Sequence, residues 1–96
     1  MKSASGLLAT ALLLIPHAVF AADPPPGAAA CSGCHATNAA AETPVPKISG
    51  RGADEMVAAM AAFRSGAKPS TVMGRIAKGF TDDEMRPIAA WLATQK

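Results

Sequence analysis

The sequence predicts a small all-α fold of about three to four helices. Two segments carry apolar residues at the spacing of one helix face, and no segment alternates apolar and polar residues as a half-buried strand does. Proline and glycine punctuate the chain between these segments, which indicates long irregular loops. With 96 residues, the chain has room for a single domain.

The N-terminal stretch, residues 1–21, has the features of a secretory signal peptide. Lys2 gives it a positive start, and an almost unbroken apolar run follows over residues 7–15. A membrane anchor is the alternative, but this run is much shorter than the roughly 20 residues needed to span a bilayer. We therefore expect a protein exported to the bacterial periplasm, with one domain over residues 22–96 and no membrane span once the signal is removed.

The expected domain is poor in large apolar side chains, because its aromatic residues are Phe63, Phe80 and Trp91 alone. A domain of this size is stabilised only marginally by such a core. A large buried cofactor would supply the missing apolar bulk. The charges after residue 21 nearly balance, with eight Lys and Arg against seven Asp and Glu, so no nucleic-acid partner is indicated.

The first helix is expected to begin at Ala28 and to run into the segment of Cys31. It should be short, because residues 23–27 form a proline-rich lead that cannot be helical. Residues 37–52 show little periodicity and predict a long irregular loop. Loops of this length in a small domain are often functional.

The second helix is predicted over residues 53–65. Asp54 and Glu55 lie near its start and Arg64 near its end, as the helix dipole favours, and Gly66 is expected to end it. The apolar residues that recur at helical spacing are Met56, Val57, Met60 and Phe63.

Residues 67–80 are predicted to form a second loop, with one helical turn around residues 75–78. The last helix should open at Thr81, which forms a capping-box pair with Glu84. Pro87 lies beyond the first turn, where we expect it to kink the helix or delay its start. The apolar face of this helix consists of Met85, Ile88, Ala89 and Leu92.

One run of residues, Cys-Ser-Gly-Cys-His from Cys31 to His35, carries a specific chemical signature. On one turn of helix, Cys31 and Cys34 project from the same face, where both sulfurs can reach the two vinyl groups along a porphyrin edge. His35 follows directly and would then point at the iron. This pattern is typical of c-type haem attachment, so the sequence predicts one covalent haem c with His35 as an axial ligand.

Three other interpretations of this run are open. A disulfide between Cys31 and Cys34, as in thioredoxin-like proteins, would need a strand-helix-strand pattern that the sequence does not show. A zinc site would lack a fourth ligand, because the other histidine, His17, leaves with the signal peptide. The third interpretation is a chance pair of unreactive cysteines.

Met73 is the candidate for the second axial ligand. Since His35 is the one histidine left after residue 21, the soft thioether of methionine is the available choice. Met73 lies 38 residues after His35 in the second loop, where the backbone is free to bring a side chain to the opposite face. The other methionines fall on apolar helix faces, where core packing is expected, and are Met56, Met60 and Met85.

With these parts in this order, the predicted domain resembles the class I cytochrome c fold, in which the helices wrap around one covalent haem. In that family a Pro-x-apolar-x-Gly segment follows the haem motif, and the proline carbonyl accepts a hydrogen bond from the ligating imidazole. Residues 46–50 match this segment. The resemblance implies that Pro46 orients His35, and Pro44 is a nearby competitor for the role.

Residues 70–80, Ser-Thr-Val-Met-Gly-Arg-Ile-Ala-Lys-Gly-Phe, resemble the methionine-ligand segment of the cytochrome subunit of flavocytochrome c sulfide dehydrogenases. Those subunits receive electrons from a flavoprotein that oxidises sulfide. This chain has one attachment motif, so any relationship to these subunits is to their single-haem forms. The resemblance implies a flavoprotein subunit or another redox protein as the partner, which Arg75 and Lys78 could meet if its surface is acidic.

The expected function is one-electron transfer by a periplasmic protein that itself transforms no substrate. It would act as the cytochrome subunit or close partner of a sulfide-oxidising flavoprotein. A free-standing carrier between respiratory complexes is the first alternative. The second is a haem sensor or peroxidase-like domain in which Met73 is displaced from the iron.

Overall fold

The computed structural model describes residues 23–37 and 40–95, and the expected signal peptide lies outside the described residues. Within this part the chain forms helices and no strand, which is the all-α class that the sequence predicts. The helices in chain order are α1 (Ala28–Ser32), α2 (Ala53–Ser65), α3 (Met73–Ala77) and α4 (Asp82–Thr94). None of these helices is long and apolar enough to cross a membrane.

α1 begins where the chain passes very close to other elements. Gly27 precedes the helix with a φ of 88°, a left-handed conformation that favours glycine. A Cβ atom at this position would lie 2.9 Å from Cε1 of Phe80 and 3.3 Å from Cδ1 of Ile88. The start of α1 therefore rests on the Phe80 ring and on α4, and this contact places the segment that carries Cys31.

The predicted bounds of α2 are confirmed. The helix ends on Gly66, which has a φ of 81° and whose N–H donates to the carbonyl oxygen of Phe63 at 3.2 Å. Met56 and Met60 face the interior and are buried. α2 packs against both α3 and α4 and is the central helix of the described part.

The predicted start of α4 is also confirmed. The hydroxyl oxygen of Thr81 accepts from the Glu84 N–H at 3.2 Å, and the Glu84 carboxylate accepts from the Thr81 N–H at 2.8 Å. This capping box satisfies two N–H groups that the first turn would otherwise leave without partners. The predicted apolar face is buried in full: Met85, Ile88, Ala89 and Leu92.

The expectation that Pro87 delays the helix start is wrong. α4 begins at Asp82 and runs through Pro87 to its end. The ring removes the N–H that would have bonded to the carbonyl of Asp83. Both residues are exposed, so water can bond to that carbonyl instead. The buried apolar face on both sides of Pro87 stabilises the helix through tertiary packing.

The sequence predicts α3 as a single turn that starts two residues later, with Met73 in the loop before it. The structure makes Met73 the first residue of this helix. The Ser70 hydroxyl oxygen accepts from the Gly74 N–H at 2.8 Å, which gives the first turn a side-chain partner. Ala77 is 1% exposed, so the short helix is anchored on the core by its last residue.

The buried core consists of alanines, methionines, Ile88 and Leu92 and contains no aromatic residue of the described part. Ile88 and Leu92 are the largest fully buried side chains of the described residues, and Phe63, Phe80 and Trp91 are half-buried at its border. The expectation of a core that lacks large side chains is confirmed for this part of the chain.

Candidate haem-binding site

A cavity of about 250 Å³ opens between the helices and the loop that precedes α2. Its wall is largely apolar because α2 and α4 turn buried residues towards it and α3 contributes Met73 and Ile76. The apolar side chains that line it are Ile48, Met56, Ala59, Met60, Phe63, Met73, Ile76, Met85 and Leu92. Charged side chains lie at its edge, namely Arg51, Glu55 and Lys68. A mainly apolar group with a few polar substituents matches such a lining.

His35 is fixed at this cavity by two bonds. Its backbone N–H donates to the carbonyl oxygen of Cys31 at 2.9 Å, which continues the turn of α1. Its ring Nδ1 lies 2.5 Å from the carbonyl oxygen of Pro46. A carbonyl oxygen can only accept, so Nδ1 carries the proton and donates, and the lone pair on Nε2 is free to bind a metal.

The acceptor for His35 is thus Pro46 and not its neighbour Pro44. Pro46 also lines the cavity, as does Ile48 two residues later. The loop is held against α4 beyond this point, because the N–H of Gly50 donates to the carbonyl oxygen of Leu92 at 3.0 Å. The carbonyl that orients the imidazole is therefore part of an anchored loop.

The two cysteines are free thiols in different surroundings. Cys31 is half-buried in α1 and lines the cavity, whereas Cys34 is exposed and is not among the lining residues. Burial raises the pKa of the Cys31 thiol, and a backbone hydrogen bond partly opposes this. The disulfide considered above is not formed.

Zinc binding finds no support in the described residues. Over residues 23–37 and 40–95, no three His, Cys, Asp or Glu side chains lie together as a site for a metal ion. A structural zinc ion requires four such ligands. The Cys-x-x-Cys-His run therefore lacks the additional side chain that zinc would need in this part of the fold.

Met73 reaches the same cavity as His35 from a different element. It is half-buried at the start of α3, whereas His35 follows α1. The three other methionines of the described residues line the cavity as well, but they are buried in α2 and α4 with exposures of 8% or less: Met56, Met60 and Met85. The structure therefore brings together Cys31, His35, Pro46 and Met73 at one cavity.

Sequence reasoning missed the structural role of Arg64, which it treated as a cation at a helix end. Its guanidinium donates from Nη1 to the carbonyl oxygen of Phe80 at 2.8 Å and from Nη2 to Oδ1 of Asp82 at 2.5 Å. The hydrogen bond and the charge of Arg64 lower the pKa of the Asp82 carboxyl. These partners are 16 and 18 residues away in sequence, so no local sequence pattern predicts the two bonds.

A small helical fold that presents a Cys-x-x-Cys-His run at an apolar cavity is the arrangement of a c-type haem protein. Residues 19–96 match the family model for cytochrome c, and the chain therefore belongs to the cytochrome c family. Members of this family are electron carriers, and the cofactor is covalent haem c. The free thiols, the free Nε2 of His35 and the apolar wall all fit that group.

Two curated relatives are similar to this chain. The cytochrome subunit of sulfide dehydrogenase from Chlorobaculum tepidum is 39% identical over 61 residues, which cover 64% of this chain and 56% of that protein. Cytochrome c-552 from Acidithiobacillus ferridurans is 29% identical over 65 residues, which cover 68% of this chain and 28% of that protein. The matched region thus spans about half of the first relative and about a quarter of the second.

Proposed function

We propose that this chain is an exported, periplasmic, single-haem electron-transfer protein in which Cys31 and Cys34 hold haem c through thioether bonds. His35 and Met73 would be the two axial ligands of its iron. The observation that carries the proposal is the hydrogen bond from His35 to Pro46, because it frees Nε2 at the cavity that Met73 also lines. Residues 1–21 would be removed on export, which leaves the domain of residues 22–96.

When bound, haem c supplies one-electron cycling between ferric and ferrous iron. The Pro46 carbonyl holds the His35 ring in one tautomer and orientation, which would make Nε2 a better donor to iron. The thioether of Met73 would be a soft ligand that favours the ferrous state and raises the reduction potential. These two side chains would occupy both axial positions, which favours electron transfer over oxygen or peroxide chemistry.

The surface beside Met73 is suited to a redox partner. Val72 and Ile76 are 57% and 41% exposed and are the exposed large hydrophobic residues of the described part. Ile76 also lines the cavity, so this face lies next to the proposed ligand. Arg75 and Lys78 are exposed on the same short segment. An apolar patch with two cations would bind a partner that carries an apolar surface ringed by carboxylates.

The proposed partner is a sulfide-oxidising flavoprotein, with this chain as its cytochrome subunit or close associate. The relative from Chlorobaculum tepidum, which carries the name cytochrome subunit of sulfide dehydrogenase, supports this choice. The resemblance of residues 70–80 to the methionine-ligand segment of such subunits supports it further. In this role the chain would accept electrons one at a time and pass them to another carrier.

Stopped-flow reduction tests this function. The holo-protein is mixed with a purified flavoprotein sulfide dehydrogenase and sulfide, and haem reduction is followed by absorbance. In the double variant Arg75→Glu/Lys78→Glu, we expect the rate of sulfide-dependent haem reduction at low salt to be about tenfold or more below that of the parent protein. The reason is that electrostatic steering of the flavoprotein depends on the charges at the docking face. Arg86→Glu, an exposed charge change on α4, is the matched control and should leave the rate nearly unchanged.

A failure of the flavoprotein to reduce the haem, together with rapid reduction by a quinol-oxidising complex, would identify a free-standing carrier instead. Equal slowing by Arg86→Glu and by the Arg75/Lys78 double variant would show that the face beside Met73 is not the docking surface.

A further inference from the structure

Arg64 ties the end of α2 to the start of α4 through two hydrogen bonds, which we call the Arg64 clamp. One runs from Nη1 to the carbonyl oxygen of Phe80 at 2.8 Å, and the other from Nη2 to Oδ1 of Asp82 at 2.5 Å. Phe80 and Asp82 flank Thr81, the N-cap of α4. The Arg64 side chain is 32% exposed, so the clamp is partly shielded from water.

The chain enclosed by the clamp carries Met73. Arg64 and Phe80 are separated by 16 residues, and α3 lies within this interval. The near end of the interval is fixed to α2, since the N–H of Lys68 donates to the carbonyl oxygen of Ala62 at 3.1 Å. The clamp fixes the far end to the last turn of the same helix. Both ends of the segment that presents Met73 are therefore held by α2.

α3 depends on these contacts for its position. A helix of five residues has no stability of its own in water. It lies directly on the end of α2, because a Cβ atom at Gly74 would be 3.5 Å from the carbonyl oxygen of Phe63 and 3.3 Å from Oγ of Ser70. The N–H of Phe80 donates to the carbonyl oxygen of Ala77 at 3.2 Å, so loosening the clamp at Phe80 would also loosen the Ala77 anchor and let α3 shift together with Met73.

We infer that Arg64 is a positioning residue for Met73, which it holds at the cavity by closing the segment between α2 and α4. This inference rests on the proposed function, in which Met73 ligates the iron. A planar guanidinium can donate to a carbonyl oxygen and a carboxylate at the same time, because its N–H groups point along a rigid fork. Lysine keeps the charge at this position but lacks that geometry.

Imidazole binding to the oxidised holo-protein tests the inference, because imidazole must displace methionine from the iron and its Kd reports how firmly Met73 is held. In Arg64→Lys we expect this Kd to fall about ten- to a hundredfold, the range set by losing a charge-assisted hydrogen bond. The red absorbance band that marks the iron–methionine bond should weaken in parallel. Asp82→Asn, which keeps an acceptor oxygen, should lower the Kd by about two- to fivefold.

Arg86→Lys is the matched control. Arg86 donates to Asp83 at 2.7 Å, an ion pair that stays within α4 and encloses no part of the Met73 segment. Its imidazole Kd should equal that of the parent protein. An unchanged Kd in a folded Arg64→Lys, or an equal fall in Arg86→Lys, would overturn the inference. If Arg64→Lys does not fold, an unchanged imidazole Kd in Asp82→Asn would overturn the inference.

Two further measurements separate the possible failures. A purely structural role for Arg64 would lower the Tm and leave the imidazole Kd at 25 °C unchanged, which contradicts the inference. Met73→Leu tests the proposed ligand itself, because an unchanged red band in that variant would refute the proposed ligation independently of the Arg64 result. Loss of the band in Met73→Leu with an unchanged Kd in Arg64→Lys would refute the positioning role alone.

Discussion

The ring Nδ1 of His35 lies 2.5 Å from the carbonyl oxygen of Pro46, 11 residues further along the chain. This bond joins the proposed haem-attachment segment to the loop before α2. It determines which ring nitrogen carries the proton and therefore which one can bind iron. The orientation of the proposed ligand thus depends on the backbone of a loop rather than on another side chain.

Pro46→Ala should loosen this bond without removing the carbonyl, because alanine does not fix the backbone angle that proline fixes. A weaker hydrogen bond would make the imidazole a poorer donor to iron and the ferric state less stable, so the reduction potential should rise. The measurement is a redox titration of the holo-protein. Pro44→Ala is the control and should leave the potential unchanged, and an equal shift in both variants would argue against a specific role for Pro46.

Each cysteine should contribute one thioether bond although their exposures differ. Cys31→Ala and Cys34→Ala should each retain haem through a single bond and shift the α-band of the pyridine haemochrome to longer wavelength. The double variant should lose all haem under denaturing conditions, as seen by haem staining of a gel. A Cys34→Ala protein with the parent spectrum would show that the exposed sulfur takes no part in attachment.

Gly27→Ala should destabilise the protein because a Cβ atom would lie 2.9 Å from the Phe80 ring at a φ of 88°. We expect a loss of about 2–4 kcal/mol in the free energy of unfolding by denaturant, with about 1 kcal/mol from backbone strain and about 1–3 kcal/mol from overpacking. Gly66→Ala is the matched control, with a φ of 81° and no atom of the described chain within 4 Å of its Cβ position. It should lose about 1 kcal/mol from backbone strain alone. Equal losses of unfolding free energy in the two variants would mean that the Phe80 ring moves aside at no energetic cost.

Acid should weaken the link between α2 and α4. The hydrogen bond from Arg64 and its charge lower the pKa of Asp82 in the folded state. A carboxyl with a depressed pKa contributes stability above its unfolded pKa of about 3.9 and loses that contribution as the pH falls through its folded pKa. Between about pH 6 and pH 3, the free energy of unfolding by urea should therefore fall less in Asp82→Asn than in the parent. An identical fall in both proteins would contradict this.

The elements that sequence reasoning placed correctly are those with local signals at their ends. Gly66 ends α2 with a left-handed C-cap, and Thr81 with Glu84 starts α4 with a capping box. Each signal acts within a few residues, so it can be read without knowing the rest of the fold. The effect of Pro87 cannot be read from local sequence, because its energetic cost depends on whether the Asp83 carbonyl, which loses its N–H partner, is exposed to water.

The remaining features depend on contacts between distant residues. α3 has too few residues for a periodic pattern, and it exists because Gly74 and Ala77 pack on α2 and the core. The Arg64 clamp joins residues 16 and 18 positions apart. At the site, the spacing of the motif residues is enough to predict the roles of the two cysteines and His35. The choice between Pro44 and Pro46 as the acceptor for His35 requires the geometry of the loop.

The identity of the second axial ligand is the central claim, and proton NMR of the reduced holo-protein tests it most directly. A methionine bound to haem iron has its methyl resonance shifted far upfield by the porphyrin ring current. Spectra of four variants, Met56→Leu, Met60→Leu, Met73→Leu and Met85→Leu, would be compared with that of the parent. We expect the upfield methyl signal to be lost in Met73→Leu and kept in the other three. Its survival in Met73→Leu, or its loss in another variant instead, would contradict ligation by Met73.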